Sequence, residues 1–81
     1  MTNDLNLIAD RVRQIRPLLA GLESHVQGAI LADLLAMWLA GHGVRGDSAA
    51  TDDLREDLLD AHLGIVAQLI PENAKLLGTN R

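Results

Sequence analysis

Apolar residues recur along this chain at helical rather than strand spacing, in three segments. In the first, Leu7, Ile8, Val12, Ile15, Leu18, Leu19 and Leu22 gather into one arc of about 140° when each residue is turned by about 100°. Asn3 or Asp4 can cap its start, and Gly21 is a natural stop. Pro17 predicts a kink, because proline removes a hydrogen bond and clashes with the preceding turn. The pattern therefore places a helix over about 4–20. The last segment, about 52–70, opens after Thr51 with Asp52, Asp53, Glu56 and Asp57, where a helix dipole favours negative charge. Leu54, Leu58, Leu59, Leu63, Ile65, Val66, Leu69 and Ile70 form its apolar face. Pro71 is expected to end or bend it, leaving a short turn over 71–77 that stops at Gly78 and a frayed tail over 78–81.

The middle segment, 24–41, has a different character. Ser24 and Gln27 have capping-box spacing, and Gly41-His42-Gly43 terminates the run. From Val26 to Gly41 the only charge is Asp33. Bulky side chains, among them Ile30, Leu34, Leu35, Met37, Trp38 and Leu39, fill about 220° of the wheel. Gly28, Ala29, Ala32, Ala36 and Ala40 fill the rest with small groups. A helix without a polar face has to be surrounded by other apolar groups, and two neighbouring helices cover only part of its circumference. The stripe Gly28, Ala32, Ala36, Ala40, flanked by Trp38 and Leu39, is the expected crossing point with a second copy, because small residues let two backbones approach closely. The fold expected is all-α, a single domain over 1–81 of three main helices, completed into a bundle by dimerisation.

Size sharpens that expectation. A chain of 81 residues has a narrow stability margin, and small domains close the gap with disulfides, metals, unusually good packing or association. There is no cysteine, which removes the first route and leaves the redox compartment open. There is no Phe, no Tyr and one Trp, so the aromatic platform that holds single-stranded nucleic acid is missing. A net charge of −4 opposes binding to duplex phosphates, and no nucleic-acid partner is expected. The apolar run of the middle segment is shorter than the roughly 20 residues needed to span a bilayer, and the acidic start MTNDLNLIADR has no signal-peptide pattern. A cytoplasmic protein without membrane contact is expected.

His62 is the most informative candidate for chemistry, since it falls near the centre of the third segment's apolar arc. Asp33, at the seam of the middle helix, lies at a compatible height if the two helices pack antiparallel, so a buried Asp33–His62 pair is expected. Such a pair can fix helix register, or it can serve as a proton site or metal anchor. His25, His42 and His62 have no metal-ligand spacing, with His25 and His42 about 25 Å apart along one helix, so no metal or cofactor is expected. The acidic run from Asp52 to Asp60 reads as a solvated helix start rather than a metal box. Arg11, Arg13 and Arg16 do not form a DNA-reading motif, and Arg45-Gly46-Asp47 is a chance tripeptide in a loop. Ser24 and Ser48 have no histidine fixed beside them, and no catalytic residue is expected. The reading that follows is a small non-enzymatic interaction or assembly module (adaptor, regulator or small subunit) acting as a homodimer, with room for a further protein partner. The alternative is a ligand- or metal-binding bundle centred on Asp33 and His62.

Overall fold

The computed structural model describes residues 2–79, without the side chain of Thr2. The chain is all-α, with α1 over Thr2–Leu19, α2 over Ser24–Ala40 and α3 over Ser48–Leu77. It divides into two compact units, Met1–Leu34 and Leu35–Arg81, the division falling within α2.

In the first unit, α1 carries Asp4 in its first turn and Arg16 in its last, each matched to the dipole at its end. Pro17 lies inside the helix, which does not restart there and ends two residues later. Gly21, at φ +81°, then reverses the chain, a conformation that costs an L-residue strain and glycine none. The capping box expected at Ser24 does not form. The Glu23 carbonyl accepts from the amides of Val26 and Gln27, both at 3.0 Å, so Ser24 lies one residue inside the helix. The Gln27 side chain donates instead to the Leu19 carbonyl at 2.7 Å, a helix-end acceptor that otherwise has only a longer 3.3 Å bond from the Leu22 amide.

In the second unit, α3 starts earlier and ends later than its charges and proline suggest. Asp47 is the N-cap, its carboxylate accepting from the Ala50 amide at 2.9 Å, so Ser48 to Thr51 form the first helical turn. The acids from Asp52 onward belong to the next turns, not to the first. Pro71 neither ends nor restarts the helix, which runs 30 residues to a Schellman stop. There Gly78, at φ +73°, donates to the Lys75 carbonyl and Thr79 donates to the Ala74 carbonyl. The separate turn expected over 71–77 is therefore part of α3.

The segment between α2 and α3 is also more ordered than its glycines imply. Val44 to Asp47 form a tight turn with Gly46 at its third position, φ +78°, closed by the Asp47 amide on the Val44 carbonyl at 3.1 Å. Thr51 ties this turn to the helix. Its hydroxyl accepts from the Val44 amide at 2.9 Å and lies within hydrogen-bond reach of the carbonyls of Asp47, at 2.8 Å, and Val44, at 3.2 Å. Arg45-Gly46-Asp47, read from sequence as a loop tripeptide, is thus a turn running into a helix cap.

No described residue is buried. Half-buried positions in the first unit are Leu19, Gln27 and Ile30, and in the second they concentrate on Leu35, Leu39, His42 and the first half of α3.

Candidate interaction surface

The second unit has one well-defined side-chain cluster, where the end of α2 meets the first half of α3. Trp38 sits between two imidazoles. The His42 ring lies 4.8 Å from it at 66°, and the His62 ring lies 4.7 Å from it at 70°. Both are edge-to-face arrangements, which the charge distribution of the aromatic rings favours. Each imidazole is held from behind by its own backbone. His42 Nδ1 lies 2.7 Å from the Trp38 carbonyl and His62 Nδ1 lies 2.7 Å from the Leu58 carbonyl, so in each neutral ring Nδ1 carries the proton. Arg55 completes the cluster. Its Nε donates to the His42 carbonyl and its Nη2 to the Ala40 carbonyl, both at 2.9 Å. These are acceptors that the end of α2 cannot satisfy by itself, and a guanidinium fork meets two of them while placing positive charge at a helix C-terminus.

The Asp33–His62 pair expected from the helical wheels joins a residue of the first unit to one of the second, and each is described within its own unit. Asp33 is exposed in the single chain, and His62 is only half-buried. The Nδ1 partner of His62 is the carbonyl one turn back on its own helix rather than a carboxylate. A histidine in the middle of a helix always has that acceptor within reach, so an apolar wheel position does not by itself imply an acidic partner. Among the described residues, no group of three or more His, Asp or Glu side chains could hold a metal ion, and no helix is long and apolar enough to cross a membrane.

The rest of the surface is unusually apolar. On α1, Leu5, Ile8, Val12 and Leu18 are each more than half exposed. On α2, Leu31, Leu34 and Met37 are more than half exposed, and Val26 and Trp38 remain substantially so. The small residues Gly28, Ala32, Ala36 and Ala40 are exposed as well, and Leu39 is half-buried. A Cβ built on Gly28 or on Gly64 would meet nothing within 4 Å, so neither glycine is there to admit a neighbour from its own chain. The Arg55 cap and the Thr51 tie were missed by sequence reasoning, because a polar side chain on the wheel gives no sign of which distant carbonyl it will reach.

Compared with known protein families, with curated proteins and with solved structures, the chain matches none.

Proposed function

We propose that this chain is a non-enzymatic helical interaction module that works as a homodimer, with α2 contributing the small-residue stripe Gly28, Ala32, Ala36 and Ala40 and the flanking Trp38 and Leu39. The observation that carries this reading is exposed surface. The chain exposes 6962 Å², whereas two separate compact bodies with the masses of its two units would together expose only about 5,700 Å². The difference of about 1,300 Å² exceeds the roughly 800 Å² per partner of a standard interface. Leu31, Leu34 and Met37 of α2 contribute apolar groups to that surface, and contiguous exposed apolar groups mark surfaces that another protein covers. A second copy is the most economical cover, since two-fold pairing lets one patch meet itself.

The test is the native mass in solution at micromolar concentration, measured by light scattering on the full chain. Twice the 8.7 kDa chain mass is the expected result. A folded monomer at high micromolar concentration would refute the homodimer and direct attention to a different protein as the partner.

A further inference from the structure

Because α3 continues through Pro71, residues on either side of the proline share one helical register. Leu59, Val66 and Asn73 fall seven residues apart on one line of that helix, and His62, Leu69 and Leu76 fall on the line beside it. This is the heptad spacing of a coiled coil, and Val66 with Leu69 supplies the β-branched and leucine core pair that favours two parallel strands. Gly64 and Pro71, the two residues in this half of α3 least suited to a helix, both fall at the outermost heptad position, furthest from the seam.

The two ends of this stripe differ in cover. Leu58, Leu59 and His62 are half-buried, with Trp38 against the His62 ring. Beyond His62 the same stripe is bare: Val66 is 50% exposed, Leu69 48% and Leu76 83%, with Ile70 beside it at 62%. An open, mainly apolar groove of about 390 Å³ lies over this stretch, lined among others by Val66, Leu69, Ile70, Asn73 and Leu77. Asn73 is the one polar side chain on the seam beyond His62. Its amide both donates and accepts, so it is complementary to a second copy of itself. A single Asn at this core position is the device that fixes register and strand number in parallel two-stranded coils.

We infer that a second copy of this chain docks along the C-terminal half of α3, parallel and in register, with Asn73 facing Asn73. The seam rests on the homodimer reading above and adds to it a specific surface, orientation and register.

The native chain has no cysteine, so single cysteines report the seam directly. Val66→Cys and Asn73→Cys are each placed alone in the full chain and oxidised mildly. Gln68→Cys, on the outer side of α3, is the control, and native mass is measured on every variant. Disulfides need Cα atoms within about 7 Å, so both seam variants should form covalent dimer at least about tenfold faster than the control. Leu69→Cys replaces Asn73→Cys if the latter loses helical circular dichroism. A dimeric mass with no preferential cross-linking at the seam overturns this inference and leaves the homodimer standing. Cross-linking at only one of the two seam positions overturns the parallel register. A monomeric mass overturns both readings.

Discussion

Arg55 and Ala40 are joined by a 2.9 Å hydrogen bond from the guanidinium Nη2 to the last carbonyl of α2. The same side chain holds the His42 carbonyl, so one half-buried residue of α3 terminates the helix before it. Helix ends leave carbonyls without partners, and here a neighbouring helix supplies the donors. The bond also fixes where the end of α2 lies along α3, and with it the contact between Trp38 and His62.

Removing that fork should be costly. Arg55→Ala is expected to lower stability by about 2 kcal/mol, the scale of hydrogen bonds to a charged donor. Arg55→Lys should recover only part of the loss, because an ammonium lacks the planar fork that addresses two carbonyls. Urea denaturation followed by circular dichroism checks this, and an Arg55→Ala midpoint equal to wild type would show that water replaces the bonds at no cost.

Asp47 should behave as a cap rather than as a loop residue. Asp47→Ala is expected to cost about 1 kcal/mol. Gly46→Ala should cost a similar amount, because φ +78° strains any residue with a Cβ. Deleting Asp47 to Ala49, harmless if this were slack loop, should lower the thermal midpoint by several degrees. Thermal melts of the three variants settle the point, and an unchanged midpoint for the deletion would return the segment to loop status.

Gly28 and Gly64 offer a matched comparison. Both are mid-helix, and a methyl group at either meets nothing in the chain. Helix propensity alone makes each Gly→Ala change stabilising by up to about 1 kcal/mol. Gly64→Ala should show that gain. Gly28→Ala should instead weaken association, since the added methyl lies on the stripe proposed for the second copy. Native mass over a dilution series and a melting curve on both variants separate the effects. Equal stabilisation of both without a change in mass would remove the α2 stripe from the interface.

Trp38 should matter more than either histidine beside it. Trp38→Ala removes a ring that is 41% exposed and contacts both imidazoles, for an expected loss of about 2 kcal/mol. His62→Leu loses one edge-to-face contact but gains apolar area on a leucine-rich face, so its effect should stay within about 1 kcal/mol. Denaturation of both variants, followed by circular dichroism, tests the ranking. A His62→Leu loss equal to that of Trp38→Ala would show that the imidazole, and not the indole, organises the cluster.

The number of helices, the unusual composition of α2 and the stops at Gly21 and Gly78 were legible because each depends on neighbours within a few residues. The extent of α3 was not. Asp47 and Thr51 both have N-cap chemistry, and the acids that follow Thr51 drew the expected start one turn too late, past the helix-favouring Ala49-Ala50 pair. Pro71 removes one donor, but a helix of 30 residues retains its remaining bonds on both sides. The cluster around Trp38 was half legible. The position of His62 on an apolar arc was readable, whereas its backbone partner and the reach of Arg55 across 15 residues to Ala40 depend on tertiary placement.

Trp38 is the only tryptophan of a chain without tyrosine, and it belongs to the second unit. Near-ultraviolet emission therefore reads the surroundings of one residue of the second unit, while far-ultraviolet dichroism counts every helix. Followed with both probes, one denaturation experiment asks whether Met1–Leu34 and Leu35–Arg81 unfold together. Coincident curves mean a single cooperative body. A helical signal that falls before the emission shifts means that the first unit melts alone, while the indole is still held between its two imidazoles.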